Sequence, residues 1–207
     1  MVKKLIQEGA EAKIYLENGV IFKKRIPKVY RHSQLDLLIR RQRTKHEAKL
    51  LVKAKECGVK VPEVYNVNKK FEPTSQYDIE IEYIDGDKLS ETLNLYSEEK
   101  QFEVMRKLGK EVAVMHANDI IHSDLTTSNI ILRGEDVFII DFGLGYFSAK
   151  IEDRAVDIHL IKQALEAKHF LNHEYLFLGF LEGYVYEKSF DVIERLMVVE
   201  KRGRYKH

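Results

Sequence analysis

The sequence predicts an α+β fold, in which a small β-rich part is followed by a mainly helical part. Two observations predict it: strand-like segments around one long helical pattern dominate residues 1–84, and helical periodicity dominates from residue 97 onward. The chain has 207 residues, of which 44% are hydrophobic, so it can bury a core of its own. We therefore expect one domain in two unequal parts, 1–84 and 85–200, with a basic tail over 201–207.

Strands and one long helix are predicted in the first part. The strand-like segments are 13–16, 20–23, 61–66 and 77–84. Asn18-Gly19, between the first two segments, is a dipeptide typical of a tight hairpin. Ser33 can cap a helix that runs to about Cys57 and stops at Gly58.

Helices are predicted throughout the second part. Ser97 precedes a helix whose first turn carries Glu98 and Glu99, where the helix macrodipole favours acids. Apolar residues at spacings of three and four give this helix one buried face: Phe102, Met105, Leu108, Val112 and Met115. Further helices are predicted near 153–168, 172–187 and 189–201.

Composition excludes several classes of protein. Cys57 is the sole cysteine, so an intramolecular disulfide and a four-Cys zinc site are both impossible. No apolar run approaches the length that spans a bilayer, and residues 1–8 turn polar too early for a secretory signal. We therefore expect a cytoplasmic protein that does not bind membranes.

Charge is unevenly distributed along the chain. Residues 23–53 contain eleven Lys or Arg residues and two acids, a net charge of +9, whereas the whole chain carries +1. This segment has three interpretations: a solvated helix face, a protein-binding surface or a contact with nucleic acid. A second basic cluster closes the chain: Lys201, Arg202, Arg204 and Lys206.

Oxygen-bearing side chains that could support phosphoryl transfer lie between residues 122 and 143. Asp124 could accept a hydroxyl proton, and Asn129 and Asp141 could hold Mg2+, a hard cation that prefers oxygen ligands. A hairpin symmetric about Glu135 would place residue 129 opposite 141, with Cβ atoms about 4.5–5.5 Å apart, although a bulge would shift that register. The strands of this hairpin are predicted at 130–133 and 137–140.

The spacing of these residues resembles that of protein kinases. Asp124 is followed five residues later by Asn129 and twelve residues further on by Asp141-Phe142-Gly143, in the order of the kinase catalytic loop and metal-binding Asp. Only thirteen residues separate Gly143 from Asp157, which leaves little platform for a peptide substrate.

The first part supplies the nucleotide-binding residues that this resemblance implies. Lys23 resembles the lysine that anchors phosphates, and Glu47 resembles the helix glutamate that orients it. Lys24 competes for the anchoring role, but the pattern Lys-x-Arg-x-Pro-Lys favours Lys23. The remaining residues are Gly9, Ala10 and Glu11 in place of a glycine-rich loop, and Glu82 and Ile84 in the hinge that meets adenine.

A finer resemblance is to the small atypical kinases of the PRPK type, the kinase subunits of the KEOPS (EKC) complex. Ser123 stands where most kinases have Arg and where this family usually has Gly. The resemblance implies a reduced bilobal kinase fold with ATP and Mg2+ between the lobes. The matching blocks are 7–12, 23–32, 35–36, 43–44, 47–48, 82–86, 122–129, 141–143, 152–157 and 202–205.

This resemblance also implies a function. The chain would be a Ser/Thr kinase or ATPase that serves the KEOPS complex in the N6-threonylcarbamoyladenosine modification of tRNA. Implied partners are the KEOPS catalytic subunit, which has a sugar-kinase-like ATPase fold, the other KEOPS subunits, and tRNA at the segment 23–53 and the tail. Two alternatives stay open: a small-molecule kinase of the aminoglycoside or choline type, and a pseudokinase scaffold that binds nucleotide without turnover.

Overall fold

The computed structural model describes residues 3–9, 11–68 and 75–204, with side chains up to residue 201. Within these ranges a four-stranded sheet with one long helix is followed by a mainly helical lobe, which confirms the predicted α+β architecture. None of the helices in these ranges is both long enough and apolar enough to cross a membrane.

The first lobe is built on an antiparallel sheet whose strand order follows the sequence. Its strands are β1 (Lys4–Glu8), β2 (Ala12–Glu17), β3 (Val20–Arg25) and β4 (Asp78–Glu82). Asn18 and Gly19 have φ values of 50° and 77°, and they form the tight turn that the sequence predicts. Strand β1 was not predicted, because all five of its residues are exposed and it carries no inward-facing apolar signal.

The long helix α1 (Ser33–Glu56) packs against β4 and buries Leu51 and Ala54. It begins where predicted, although His32 occupies the cap position and no side chain caps the helix. Gly58, with a φ of 90°, follows the end of the helix as predicted.

The predicted strand at 61–66 is wrong. This segment runs along the edge of β4, where Val64 forms one isolated bridge with Ile81, and Tyr65 N donates to Glu80 O at 2.8 Å. Pro62 has no N–H to donate, so the segment cannot form a continuous ladder from its start.

The second lobe consists mainly of helices. Helix α3 follows Ser97 as predicted, and the Ser97 side chain caps it by accepting a hydrogen bond from Lys100 N at 3.4 Å. The predicted apolar face of α3 is buried except at Phe102, which is half-buried. Helix α5 ends at Gly183, four residues before its predicted end. The elements are β5 (Asp87–Lys88), α2 (Leu89–Thr92), α3 (Glu98–Ala117), β6 (Ile120–Ile121), β7 (Ile130–Arg133), β8 (Asp136–Ile139), β9 (Tyr146–Phe147), α4 (Ile151–Lys168), α5 (His173–Gly183) and α6 (Ser189–Arg204).

Two glycines let α3 and α5 approach each other closely. A Cβ atom on Gly109 would overlap Phe180 O and would lie 2.9 Å from Tyr184 N. A Cβ atom on Gly183 would overlap Arg106 O. The spacing between these two helices is therefore set by backbone contact rather than by side chains.

The hairpin before the Asp-Phe-Gly segment differs in register from the predicted one. Arg133 pairs with Asp136, so the turn contains two residues rather than three. Gly134 has a φ of 61°, which permits this tighter turn. Ile140 N donates to Asn129 O at 2.9 Å, so residue 129 lies opposite 140, and the predicted pairing with 141 is wrong by one residue.

Candidate active site

A cavity of about 290 Å³ lies between the first-lobe sheet and the loops of the second lobe. Five of its lining residues were predicted to bind nucleotide or to act in catalysis: Gly9, Glu11, Lys23, Asp124 and Asp141. The other lining residues are Gln7, Ala12, Ile14, Arg25, Gly143 and Leu144. Ala10, which was also predicted to bind nucleotide, lies outside the described residues.

Lys23 is the centre of positive charge in this cavity. Its side chain is 9% exposed, and its Nζ atom lies 2.7 Å from Glu47 Oε1 and 2.6 Å from Asp141 Oδ1. Lys24, the competing candidate, is exposed, because side chains alternate between the two faces of a strand. The structure thus brings Lys23 rather than Lys24 to the cavity.

Electrostatic attraction keeps Lys23 and Asp141 charged. Burial by itself lowers the pKa of Lys23, but the carboxylates of Glu47 and Asp141 outweigh burial and raise that pKa above its usual value. Burial raises the pKa of Asp141, but the Lys23 ammonium holds it below its usual range. Both partners are therefore ionised at neutral pH.

Arg25 is a second cation in the cavity, and its role was not assigned from the sequence. Its Nη2 atom lies 2.6 Å from Glu47 Oε2, so the buried Glu47 carboxylate binds one cation with each oxygen. Glu11 lies 3.8 Å from Arg25 Nη1 and forms an ion pair with Arg43 of α1. Arg25 follows Lys23 by two residues on β3, and this spacing was the available signal for a shared face.

Asp124 and Asn129 are held together by the loop that follows β6. Asn129 Nδ2 donates to the backbone oxygen of Asp124 at 2.8 Å and to Asp124 Oδ2 at 3.0 Å. His122 accepts from Asp124 N at Nδ1, at 3.2 Å, and donates from Nε2 to Ile140 O at 2.9 Å. These bonds hold the loop in the conformation in which Asp124 lines the cavity.

Asp157 of α4 holds the backbone of this loop. Its role was not assigned from the sequence, although it lies in one of the matching blocks. The buried carboxylate accepts from His122 N at 2.6 Å and from Ser123 N at 2.7 Å. Ser123 has a φ of 65°, a strained conformation for a residue with a side chain. Asp157 therefore stabilises a strained turn immediately before Asp124.

Asp141 and Asn129 are the oxygen donors that fit a metal ion. Because Asn129 Nδ2 is engaged by Asp124, Asn129 Oδ1 is the atom that can face a cation. Among the residues with described side chains, no group of three His, Cys, Asp or Glu could hold a metal by itself. A carboxylate and an amide oxygen suit Mg2+, which takes one or two carboxylates and completes its coordination with phosphate oxygens and waters.

The predicted hinge residues lie at the end of β4. Ile84 is buried, whereas the Glu82 carboxylate accepts from Arg133 Nη1 at 2.8 Å and from Glu63 N at 3.3 Å. The Glu82 side chain is thus directed away from the cavity, and any contact with adenine would come from the backbone of 82–84.

Comparison with known proteins identifies the family. A model of the protein kinase domain matches residues 10–192. The KEOPS complex subunit Bud32 of Pyrococcus abyssi is 42% identical, over 98% of this chain and 96% of its own length. This chain belongs to the Bud32 family of protein kinases. The family resemblance stated from the sequence is therefore confirmed, as is the reduced kinase fold.

Other relatives of this Bud32-family chain are much longer than it is. Probable bifunctional tRNA threonylcarbamoyladenosine biosynthesis proteins of Methanosarcina acetivorans and Methanobrevibacter smithii are 37% and 40% identical. The alignments cover 97% and 98% of this chain but only 35% and 37% of those proteins. A solved structure of WaaP in complex with acyl carrier protein has a TM-score of 0.65 at 12% identity, over 98% of this chain and 88% of that one, which shows a likeness of fold alone.

Proposed function

We propose that this chain is the kinase subunit of a KEOPS complex and that its ATP turnover supports the threonylcarbamoyladenosine modification of tRNA. The names of its Bud32 and bifunctional relatives support this role. The observation that carries the proposal is the convergence of Lys23, Asp141 and Asp124 on one cavity, with Lys23 and Asp141 2.6 Å apart.

The residues of the cavity have separate roles in this proposal. Bound ATP-Mg supplies the transferable phosphoryl group and neutralises part of its charge. Lys23, oriented by Glu47, binds phosphate oxygens, and Asp141 and Asn129 hold the metal. Asp124 accepts the proton of the attacking hydroxyl group, which belongs to a Ser or Thr side chain or to water.

Substitution of Asp141 by Ala tests the enzymatic part of the proposal. We expect γ-labelled ATP turnover to be lost while the fold is retained. Label should be followed in parallel into protein, free phosphate and a panel of hydroxylated metabolites, which separates a protein kinase, an ATPase and a small-molecule kinase. Glu135→Ala removes an exposed carboxylate from the β7–β8 turn and should retain turnover. Undiminished turnover in Asp141→Ala would refute the assignment.

The Lys and Arg residues that the segment 23–53 contributes to α1 form two groups in the structure. Arg40 pairs with Asp36 at 2.7 Å and Arg43 pairs with Glu11, so these charges stabilise the first lobe. The other Lys and Arg residues of α1 up to residue 53 are exposed and recur every four positions, which places them along one face of the helix over about 18 Å. We call this face the basic stripe; its residues are Arg41, Lys45, Lys49 and Lys53.

We propose that the basic stripe contacts the tRNA backbone. The triple variant Arg41→Gln/Lys45→Gln/Lys49→Gln should bind tRNA more weakly, and the slope of log affinity against log salt should fall by about 0.7–0.9 for each lost phosphate contact. The matched control neutralises three exposed lysines of the second lobe: Lys110, Lys168 and Lys188. Equal losses in both variants would contradict a specific contact.

The KEOPS catalytic subunit, with its sugar-kinase-like ATPase fold, is the proposed protein partner, and the cytoplasm is the proposed location. Lys201 is exposed near the end of α6, whereas the side chains of Arg202, Arg204 and Lys206 lie outside the described residues. Removal of residues 201–207 should weaken binding to that subunit or to tRNA if the tail contributes, and titration against each purified partner distinguishes the two.

A further inference from the structure

Behind the catalytic loop, a chain of side-chain hydrogen bonds runs from α4 through α3 to the end of α5 and back to α4. His116 Nε2 lies 3.3 Å from Asp157 Oδ2, and His116 Nδ1 lies 2.7 Å from the Tyr184 hydroxyl. The Tyr184 and Tyr186 hydroxyls are 3.4 Å apart, and Arg154 Nη1 lies 3.3 Å from the Tyr186 hydroxyl. All of these residues are buried except Tyr186, which is half-buried.

The contacts at the two ring nitrogens of His116 indicate the direction of these hydrogen bonds. The Asp157 carboxylate offers only acceptors, so His116 Nε2 must carry a proton. Arg154 offers only donors, so Tyr186 accepts from it. The single Tyr184 hydroxyl proton belongs to the 2.7 Å bond with His116 Nδ1 rather than to the 3.4 Å contact with Tyr186. The two nitrogens of the ring therefore fit one state, a neutral His116 that is protonated at Nε2.

The surroundings of His116 favour this neutral state. The charged and titratable groups that face it are Asp157 and Arg154 from α4, His122 from the catalytic loop and Tyr184 from the end of α5. Burial lowers the pKa of His116, and although Asp157 acts in the opposite direction, the net shift is downward.

We propose that Tyr184 is a positioning residue for phosphoryl transfer: its hydroxyl selects the His116 tautomer that holds Asp157 against the catalytic loop. Asp157 binds Ser123 N at 2.7 Å, and Ser123 directly precedes Asp124. The inference rests on the proposed role of Asp124 in accepting the hydroxyl proton. Tyr184 itself follows α5, which contributes no residue to the lining of the cavity.

Loss of the Tyr184 hydroxyl would act through His116. The Tyr184 hydroxyl can donate only to the form of His116 that has no proton on Nδ1, so its loss makes protonation of Nδ1 easier. If the proton of the neutral ring moves to Nδ1, Nε2 presents a lone pair that repels the Asp157 carboxylate. If both nitrogens carry protons, the positive charge of the imidazolium draws the Asp157 carboxylate toward it. Either change disturbs the bonds that hold Ser123 at its φ of 65°. A displacement of about 1 Å at a reacting group can lower a rate about 100-fold.

Tyr184→Phe tests the proposal because it removes only the hydroxyl. We expect kcat for ATP turnover to fall at least about 10-fold while KM for ATP is unchanged, because Lys23, on the other wall of the cavity, binds the phosphates. Nitrogen NMR of the imidazoles gives a second measurement that needs no turnover. The wild-type His116 should be neutral and protonated at Nε2, whereas the variant should show the other tautomer or take up a second proton at higher pH.

Ile161→Val is the matched control for a loss of packing, because Ile161 is buried on the same helix as Asp157. It should lower the melting temperature without changing kcat or the His116 signals. A wild-type kcat and tautomer in Tyr184→Phe, or equal losses of kcat in both variants, would overturn the proposal. Asp124→Asn is measured alongside, and turnover retained there would instead refute the role of Asp124.

Discussion

The two walls of the cavity are held by different kinds of interaction. On the first-lobe wall, Lys23 and Arg25 bind the two oxygens of Glu47 through ion pairs at 2.7 and 2.6 Å. On the second-lobe wall, Asp157 and His122 hold the catalytic loop through hydrogen bonds to its backbone N–H groups.

The side chains on the first-lobe wall can exchange their ion-pair partners, whereas those on the second-lobe wall cannot exchange their hydrogen-bond partners. Lys23 divides its charge between Glu47 and Asp141, and the Asp141 side chain is 44% exposed, so arriving phosphates can replace Asp141 beside the ammonium. The Asp157 side chain is fully buried, and opening its bonds would leave the amide donors of His122 and Ser123 unpaired. We infer that the first-lobe wall rearranges when nucleotide binds and that the second-lobe wall is preorganised.

The largest effect is expected for Asp157→Ala, which disrupts the preorganised wall. Removing the carboxylate leaves His116 Nε2 and the N–H groups of His122 and Ser123 without their acceptor, at about 1–3 kcal/mol for each buried donor. The free energy of unfolding should therefore fall by about 3–5 kcal/mol in urea titrations, and turnover should be lost. Glu166→Ala, at an exposed position of the same helix, is the control. If both variants lost equally little free energy of unfolding, Asp157 would not hold the second-lobe wall.

A smaller loss of stability is expected for Glu47→Gln, on the first-lobe wall of the cavity. The amide keeps the shape of the side chain, but its single oxygen accepts from only one of Lys23 and Arg25, and the other cation faces an NH2 donor. The free energy of unfolding should fall by about 1–3 kcal/mol, and ATP should bind more weakly because Lys23 is no longer oriented. Glu56→Gln, at the exposed end of α1, should change neither quantity. Unaltered ATP affinity in Glu47→Gln would show that Lys23 needs no orienting partner.

Acid titration sharpens the comparison at the Lys23–Asp141 pair. Burial raises the pKa of Asp141, but the Lys23 ammonium holds it below its usual value of about 3.9. The stabilisation from this pair is therefore complete above about pH 4 and is lost as the pH falls through the lower pKa of the folded state. Asp141→Asn should lose less stability than the wild type over that interval. If the free energy of unfolding changed with pH in the same way in both proteins, the Lys23–Asp141 pair would not stabilise the fold.

The smallest effect is expected for Lys107→Ala, which breaks an ion pair outside the cavity. Lys107 Nζ lies 2.5 Å from Glu135 Oε2, but the Glu135 side chain is 85% exposed. Exposed pairs contribute about 0–1 kcal/mol, so unfolding should change by less than about 1 kcal/mol and turnover should be unaffected. A loss as large as that of Glu47→Gln would remove the distinction between buried and exposed ion pairs.

The sequence identified five of the eleven described residues that line the cavity. Lys23 could be predicted because the pattern Lys-x-Arg-x-Pro-Lys favours it over Lys24. Asp124 and Asp141 could be predicted because a loop and a hairpin separate them by a fixed distance along the chain. Asn129 was placed near the right end of that hairpin, but its register depended on the φ angle of Gly134, which no spacing reveals.

The residues behind the catalytic loop could not be found in the same way. Asp157 bonds a residue 35 positions earlier, and His116 bonds Tyr184 68 positions later. No local periodicity relates residues so far apart, because their contact depends on how α3, α4 and α5 pack together. A buried His or Tyr in an apolar helix pattern also looks the same whether it fills space or joins a hydrogen-bond network.

The backbone contact between α3 and α5 has a consequence for how variants of this chain should be interpreted. Gly109 and Gly183 carry no functional group, and neither lies in the cavity, yet they set the distance across which Tyr184 reaches His116. A single methyl group at either position would force the helices apart and lengthen that contact. Substitutions at these two glycines should therefore be classed with active-site lesions when inherited or engineered sequence changes are ranked by severity.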